Sequence, residues 1–283
     1  EFGPFYISLT LPPAELWEDP MRGRVARYAW GRDYHKVIEP KLKRLVARLD
    51  AAVPEAQRGS RGYVDHGPLL ERDLAERAGL GFIGKNTLLI TKNYASYLFL
   101  SAIVTRAEIE PDVNLDGSGF DGTCGNCRRC LDVCPTYAFP AEYVLDSRKC
   151  ISYLTIEHRG VIEAELAGNM GNWIFGCDLC QSVCPYVKRY REPAEDHWLR
   201  FDPEHAAPYL PDMLGLDDAA FLARYAGTPL MRPKRRGLLR NAVIALGNSG
   251  SDEAVPVLRR ALEDSEPLVR EQAALALRRL EER

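Results

Sequence analysis

Eight cysteines lie close together in the middle of this 283-residue chain, and their spacing is that of iron–sulfur ligands. One string reads C-x2-C-x2-C-x3-C-P over residues 124–135, a second reads C-x2-C-x3-C-P over residues 177–185, and Cys150 lies between them. In the first pattern three sulfurs hold one 4Fe–4S cluster, while the fourth faces another cluster. The spacing therefore predicts two clusters that share ligands between the strings.

The same rule divides the cysteines into two sets of four. We assign Cys124, Cys127, Cys130 and Cys184 to cluster one. We assign Cys134, Cys150, Cys177 and Cys180 to cluster two. Zinc is the alternative, because two C-x2-C pairs are a common zinc site. The triple C-x2-C-x2-C and the C-P ending of both strings favour clusters. A disulfide framework is typical of small secreted domains and does not suit this large chain.

Composition describes a soluble globular protein, with 46% apolar and 27% charged residues. No apolar stretch approaches the roughly 20 residues that cross a bilayer, and no signal peptide opens the sequence. We therefore expect a cytoplasmic protein without a membrane partner. A net charge of −3 excludes a uniformly basic nucleic-acid binder, so any such contact requires a local patch.

The residues before the cysteines predict a mixture of strands and helices. Residues 1–22 read as a strand followed by a proline-rich stretch, and the chain reads as a domain entered after its start. Apolar periodicity predicts helices over 34–49 and 70–78, the latter ending at Gly79. A strand ends at Val64 and turns into a loop at Asp65, residues 80–86 form a glycine-rich turn, and 97–105 form a strand.

These patterns predict an α+β domain over 1–118, a ferredoxin-like domain over 119–191 and a helical segment over 192–283. Glycines at 117–119 mark the boundary between the first two. Residues 192–218 read as a connector rich in proline and acids. After it, L-L-R-N-A-V-I-A-L at 238–246 resembles L-V-R-E-Q-A-A-L-A-L at 268–277. A period near 30 residues is typical of HEAT-like helical repeats.

Several motifs in order resemble the epoxyqueuosine reductases of tRNA modification. They are R-Y-A-W-G-R-D-Y-H at 27–35, Y-V-D at 63–65, L-A-E-R-A-G-L-G-F-I-G-K-N at 74–86, C-I-S-Y-L-T-I-E at 150–157 and C-D-L-C-Q at 177–181. The resemblance extends into the repeats, through R-N-A at 240–242 and A-L-G-N at 245–248. Relative to the family, the chain begins late.

The resemblance implies a cobalamin-dependent enzyme that reduces epoxyqueuosine to queuosine in a tRNA anticodon loop. An external low-potential donor would feed the two clusters, and these would feed the cobalt. Asp65 matches the family's proton donor, and a carboxyl beside an apolar corrin can keep its proton because desolvation disfavours the charged form. The alternative role of Asp65 is to cap the turn before Gly67.

Cofactor contacts are assigned to five residues on the matching motifs: Tyr28, Lys85, Asn86, Ser152 and Asp178. His35 and His66 are candidate cobalt ligands by residue type. The D-x-H-x-x-G pattern is absent at residues 33–38, so the resemblance implies a base-off corrinoid without a histidine ligand.

A basic segment just before the repeats is the candidate tRNA surface, with phosphate contacts assigned to Lys234, Arg235, Arg236 and Arg240. Two other functions stay open. One is an electron-transfer module that docks a protein through its helical repeats, and the other is a corrinoid enzyme like the reductive dehalogenases.

Overall fold

The computed structural model describes residues 12–92, 94–110, 122–189 and 202–282, which form fourteen α-helices and six short strands. The helices are α1 (Ala14–Trp17), α2 (Tyr34–Ala52), α3 (Glu71–Arg77), α4 (Arg129–Asp132), α5 (Ile151–Ile156), α6 (Ala164–Asn169), α7 (Leu179–Ser182), α8 (Pro185–Arg189), α9 (Pro203–Ala206), α10 (Leu210–Leu214), α11 (Asp218–Tyr225), α12 (Lys234–Asn248), α13 (Ala254–Ala261) and α14 (Pro267–Glu281). The strands are β1 (Arg24–Val25), β2 (Arg61–Tyr63), β3 (Gly81–Ile83), β4 (Leu89–Thr91), β5 (Ala102–Val104) and β6 (Trp173–Phe175).

The six strands pair two by two. β1 lies parallel to β6, β2 lies antiparallel to β5, and β3 with β4 forms an antiparallel hairpin. The predicted strand over 97–105 is confined to β5, and the predicted turn over 80–86 is wrong in its first half. There Gly81 to Ile83 pair with β4, which leaves only the residues that follow to turn.

Helix α2 begins where the sequence predicts, because Asp33 caps it by accepting a hydrogen bond from the His35 amide at 3.0 Å. Its buried face consists of Tyr34, Val37, Ile38 and Leu42. The predicted end of the next helix is also confirmed, since α3 stops just before Gly79, whose φ of +73° suits a glycine.

Helix α12 is the centre of the largest core, and nearly all of its residues are buried. This core combines Trp30 from the first segment, Phe175 from the cysteine segment and Leu238 from α12 itself. The three predicted segments therefore share one core, and their boundaries as domains stay a prediction. The interpretation of 192–218 as a mere connector is wrong for its described part, because Leu210 and Met213 of α10 are fully buried in the same core.

The repeated motifs fall on α12 and α14, which pack together with α13 between them in the chain. Gly247 of α12 lies so close to α14 that an added Cβ would come within 2.8 Å of the Ala276 Cβ and 3.0 Å of its Cα. The two helices thus approach through a position that has no side chain.

Arg240 and Asn241 on α12 join the repeats to the cysteine segment. The fully buried Arg240 guanidinium donates to the carbonyl oxygens of Leu154 (2.6 Å), His158 (2.7 Å) and Gly160 (2.9 Å). The Asn241 amide donates to the Thr155 and Ile174 carbonyls, each at 2.8 Å. Each donation satisfies a carbonyl that burial removes from water.

Within the described residues, no helix is both long and apolar enough to cross a membrane. The predicted strand at the start of the chain, the glycines at 117–119 and residues 192–201 of the connector lie outside the described residues.

Candidate functional site

Four cysteines line a cavity of about 350 Å³, and they are the four assigned to cluster one: Cys124, Cys127, Cys130 and Cys184. A tight turn after Cys124, with Gly125 at φ +46° and the Cys127 amide bonded to the Cys124 carbonyl at 2.9 Å, brings the first two sulfurs together. Cys130 lies on α4, and Cys184 immediately precedes α8. Two distant parts of the sequence therefore meet around one space.

The other four cysteines form a second group at the wall of a larger cavity. Cys150, Cys177 and Cys180 line this cavity directly. Cys134 lies near them: burial is the main cause that raises the pKa of the Cys177 thiol, and the charges of Cys150 and Cys134 add to it. The structure thus brings together the two sets that the spacing predicts.

Both groups are unfavourable places for free thiolates. Burial first, and then the neighbouring Cys124, Cys184 and Cys127, raise the pKa of the Cys130 thiol to about 11. The pKa of Cys180 is raised in the same way, by burial and then by Cys177. Four such thiols release their protons together only when a bound cation or cluster compensates their charge.

The larger cavity has a volume of about 670 Å³ and lies between the first segment, the cysteine segment and the turn before α12. Asp65 and Tyr34 lie on one wall, and the cluster-two cysteines on another. Its size is that of a cofactor or ligand site. The cavity therefore places a carboxyl group and three cysteines around one space.

Asp65 follows β2 by two residues, at the point where the sequence predicts the strand to end. Its backbone φ is +59°, a left-handed conformation that Asp tolerates better than most residues. Its carboxylate accepts a hydrogen bond from the Tyr34 hydroxyl. Its side chain is exposed to the cavity, so the protein alone does not provide the desolvation expected for it.

Tyr34 is a site residue that the sequence did not single out. It is the first residue of α2, and its ring stacks on Phe99 at 4.4 Å and on His35 at 4.1 Å between centroids. Burial first, and then the hydrogen bond to Asp65, raise the pKa of the Tyr34 hydroxyl, which therefore stays protonated and serves as a donor. The sequence signal that could have identified Tyr34 is its position directly after the helix cap Asp33, at the start of α2.

Three of the five assigned cofactor contacts, Tyr28, Asn86 and Ser152, line the larger cavity. Lys85 does not, because its ammonium group pairs with Glu142 at 2.9 Å and donates to the Gly125 carbonyl at 2.7 Å. The assignment of Lys85 is thereby corrected: it supports the turn of cluster one.

Asp178 also lies away from the cavity. Its carboxylate is buried, accepts from the Arg27 amide at 2.8 Å and pairs with the Arg27 guanidinium, with 3.8 Å between Nε and Oδ2. Burial raises the pKa of Asp178 to about 6, against the opposing effect of Arg27. Its assignment as a cofactor contact is corrected to an anchor between the second cysteine string and the residue before Tyr28.

The two histidines have structural partners. His35 lines the larger cavity, but its Nδ1 lies 2.8 Å from the Asp33 carboxylate. The Nδ1 of His66 bonds the Val64 carbonyl. These contacts agree with the interpretation of both as hydrogen-bonding residues.

The basic segment divides into buried and exposed members. Arg235 is buried and forms a two-pronged pair with Asp264 at 2.6 and 3.0 Å, and Arg240 is fully buried against backbone carbonyls. Neither guanidinium can reach a phosphate, so these two assignments are wrong. Lys234 and Arg236 are exposed, and Arg232, which lines the cavity, is 57% exposed while it pairs with Glu157.

Three family models match the sequence. The model described as "4Fe-4S double cluster binding domain" matches residues 123–187, "Epoxyqueuosine reductase QueG, DUF1730" matches 5–66, and "HEAT repeats" matches 231–283. The cysteine segment accordingly binds two 4Fe–4S clusters, and the zinc alternative is wrong. The predicted HEAT-like repeats are confirmed.

Relatives with the name epoxyqueuosine reductase match most of the chain. The protein from Pseudomonas aeruginosa is 41% identical over 273 residues, which cover 94% of this chain and 72% of the relative. The protein from Synechocystis is 43% identical over 233 residues, which cover 81% of this chain and 78% of the relative.

Solved structures agree with the sequence matches. An epoxyqueuosine reductase crystallised with a tRNA-Tyr epoxyqueuosine-modified stem loop superposes with a TM-score of 0.86 at 33% identity, over 98% of this chain and 71% of that one. The enzyme from Streptococcus thermophilus superposes with a TM-score of 0.85 at 33% identity, over 99% and 72%. The mixed fold with a double-cluster segment and helical repeats is therefore that of these enzymes.

Proposed function

The chain belongs to the epoxyqueuosine reductase family, and from this premise we propose that it reduces epoxyqueuosine to queuosine in the anticodon loop of a tRNA. The observation that carries the proposal is the cavity of about 670 Å³, where Asp65 and Tyr34 face the cysteines of cluster two. Removal of an epoxide oxygen as water requires electrons and protons. The wall with the cluster-two cysteines would supply the electrons, and the wall with Asp65 would supply a proton. The cytoplasm, where tRNA is modified, is the proposed location.

Asp65 is the proposed proton donor to the departing oxygen. The Tyr34 hydroxyl bonds one carboxyl oxygen, which leaves the other free to face the substrate. Because Tyr34 is stacked between Phe99 and His35, the hydrogen bond holds the carboxyl in one orientation. Exclusion of water by the bound substrate would then favour the neutral acid.

Cobalamin is the proposed occupant of the cavity because the chemistry of the lining suits a corrin ring. A wall of Tyr28, Phe175 and Ile156 offers apolar and aromatic surface, and Asn86 and Ser152 offer side-chain groups for the amides of a corrin. When bound, the corrinoid supplies the strongly reducing metal centre that opens the epoxide. Because the D-x-H-x-x-G pattern is absent at residues 33–38, we propose base-off binding without a histidine ligand from this chain.

The cluster ligands are proposed as two sets of four: Cys124, Cys127, Cys130 and Cys184 line the smaller cavity, and Cys150, Cys177 and Cys180 line the larger one, with Cys134 near Cys177. Cluster two lies at the wall of the larger cavity and is the immediate source of electrons, and cluster one lies behind it. This order makes the two clusters a relay from the surface toward the substrate.

The tRNA is proposed to bind across the exposed cations near the start of α12: Arg159, Arg232, Lys234 and Arg236. Burial, followed by the charges of Arg159 and Arg236, lowers the pKa of Arg240 to about 10, which places these two cations in one neighbourhood. Since Arg232 also lines the cavity, a phosphate held there would bring a flipped-out base to Asp65. An electron-transfer module or a dehalogenase would have no use for this surface.

The test is anaerobic incubation of the cluster-loaded protein with cobalamin, dithionite and tRNA that bears epoxyqueuosine, followed by nucleoside analysis. We expect queuosine from the wild type and a loss of roughly 100-fold or more in the rate for Asp65→Asn. Asn tolerates the left-handed backbone at this position, so the fold, the cofactor content and tRNA binding should be unchanged. Asp252→Asn, at an exposed carboxylate just before α13, is the matched control. Full activity of Asp65→Asn would refute the role as acid.

A further inference from the structure

A further cavity adjoins the larger one beside Asp65. It has a volume of about 440 Å³, and we call it the side cavity. Six residues line both cavities: Tyr28, Tyr34, Asp65, Arg72, Leu88 and Gln181. Most of the remaining wall of the side cavity is apolar and consists of Leu89, Leu98, Phe99 and Leu100. A ligand that reaches Asp65 in the larger cavity can therefore extend a group into the side cavity.

Glu71 lines the side cavity with an unpartnered carboxylate oxygen. Its Oε1 atom is buried and has no hydrogen-bond partner within the described residues. The neighbouring guanidinium of Arg72 donates to the Thr87 carbonyl instead. A buried carboxylate oxygen without a partner is costly, and the great majority of such groups in native proteins have one. The Oε1 atom of Glu71 is therefore a vacant acceptor on the wall of a cavity.

The position of Glu71 in α3 does not account for this oxygen. Glu71 is the first residue of the helix, where an acidic side chain can accept from the free backbone amides of the first turn. Its Oε1 atom accepts from none of them. Glu76, on the same helix, shows the contrast, because its carboxylate accepts from the Ile83 amide at 2.6 Å. The fold thus uses the carboxylate of Glu76 and leaves Oε1 of Glu71 unused.

The surroundings of Glu71 favour a cation as its partner. Among the described residues that line the side cavity and not the larger one, Glu71 alone has a charged side chain. Ser96, the other polar residue there, donates its hydroxyl to the Gln181 amide oxygen at 3.0 Å. A carboxylate beside an apolar wall attracts a cation more strongly than one in open water does. A positively charged donor is therefore the ligand group that suits this position.

We propose that Glu71 binds the protonated secondary amine of epoxyqueuosine. This proposal rests on the proposed function, because it concerns the same substrate. In epoxyqueuosine the amine nitrogen is attached to the ring carbon next to the epoxide, and it joins that ring to the methylene group on the 7-deazaguanine. An alkyl amine carries a proton near neutral pH, as that of lysine does. With the epoxide at Asp65, the ammonium group lies toward the side cavity and donates to Oε1 of Glu71.

This contact would orient the substrate and select it. A charge-assisted hydrogen bond at Glu71 and a second contact at Asp65 hold the five-membered ring at two points, which fixes the direction of the epoxide between them. A guanine that lacks the amine would leave Oε1 of Glu71 unpaired, and sites with a buried polar group discriminate strongly against ligands that leave it so. Glu71 thereby becomes a specificity residue, whereas Asp65 is the proton donor.

The experiment compares two anticodon stem-loops that differ only in the group on the 7-deazaguanine. One carries an aminomethyl group, which is a cation, and the other carries a cyano group, which is neutral. Binding to the cluster-loaded protein with cobalamin is measured without a reductant, so that no turnover is required. We expect the wild type to bind the aminomethyl loop roughly tenfold more tightly than the cyano loop, as for one hydrogen bond between charged groups.

Glu71→Gln should bind the two loops equally, because the amide keeps the shape and loses the charge. Its affinity for the cyano loop should equal that of the wild type, which shows that the fold and the phosphate contacts are kept. Glu71→Asp retains the charge on a shorter side chain and should keep part of the preference. Asp73→Asn, at an exposed carboxylate on the same helix, is the matched control and should keep all of it.

Three outcomes would overturn the proposal. They are a wild type without preference for the aminomethyl loop, a Glu71→Gln protein that keeps the preference, and an equal loss in Asp73→Asn. The second outcome would leave water as the partner of Oε1. A preference that disappears in Asp65→Asn and persists in Glu71→Gln would assign the ammonium group to Asp65 instead.

Turnover separates this proposal from the proposed function. With epoxyqueuosine stem-loops and a reductant, Glu71→Gln should raise KM roughly tenfold. Absence of queuosine from the wild type would refute the proposed function and leave the binding preference as an independent result. Normal turnover by a wild type that binds both loops equally would refute the role of Glu71 alone.

Discussion

Replacement of Arg235 by Met should destabilise the protein without a direct effect on tRNA binding. The side chains of Arg235 and Asp264 are 9% and 7% exposed, and the guanidinium donates to both carboxylate oxygens and to the Leu216 carbonyl at 2.7 Å. Met keeps the aliphatic stem but leaves the Asp264 carboxylate without its counter-ion. Loss of one partner of a buried pair costs about 3–5 kcal/mol, a large part of the roughly 5–15 kcal/mol by which domains are stable.

The effect should depend on pH in a defined direction. Burial would raise the pKa of Asp264, but hydrogen bonds from the Arg235 guanidinium and the Glu266 amide outweigh it and hold that pKa below its ordinary value. A carboxyl with a lowered folded-state pKa stabilises the fold above its unfolded pKa, near 4, and loses this contribution as the pH falls through the folded value. The difference between the wild type and Arg235→Met should therefore be constant near neutral pH and shrink below about pH 4.

The assay is anaerobic thermal and urea unfolding of the cluster-loaded proteins, followed by circular dichroism, with tRNA stem-loop binding measured well below the transition. We expect the midpoint temperature of Arg235→Met to fall by roughly 10 °C. Arg236→Met is the matched control: its exposed side chain should change stability by less than about 0.5 kcal/mol and should weaken tRNA binding instead. A stable Arg235→Met protein that has lost tRNA binding would refute this division of the basic segment.

Two further predictions follow from close contacts. Tyr34→Phe should lower kcat roughly tenfold, because Asp65 loses the hydrogen bond that orients it. KM for the tRNA should stay unchanged, because no group that binds the tRNA is removed. An altered KM would point to a structural effect instead. Gly247→Ala should destabilise the protein by about 1–3 kcal/mol because the new methyl group meets Ala276 of α14, whereas Gly215→Ala, with 3.4 Å to its nearest neighbour, should have little effect on the unfolding midpoint.

Local patterns predicted more of this molecule than long-range ones did. The spacing of the cysteines predicts two groups, and the structure gathers cysteines of each group at one cavity. The start of α2 follows from a cap and a periodic face. Whether a charged side chain is buried, and with which partner, cannot be predicted from local patterns. Arg235 and Lys85 look like surface cations in the sequence, but their partners Asp264 and Glu142 are 29 and 57 positions away. Such pairings are set by tertiary packing, which no window of sequence contains.

Arg240 shows why the basic segment was misassigned and what it does instead. A buried guanidinium without a carboxylate is costly, and burial lowers its pKa to about 10. The cost is offset by bonds to the carbonyls of Leu154, His158 and Gly160, which lie in the last turn of α5 and just after it. Helix α5 follows Cys150 directly and contributes Ser152 to the cavity, while α12 presents the exposed Arg236 one turn before Arg240. The buried arginine therefore fixes the distance between the surface proposed for the tRNA backbone and the cavity proposed for its modified base, a distance that a flexible linker between separate domains would leave undefined.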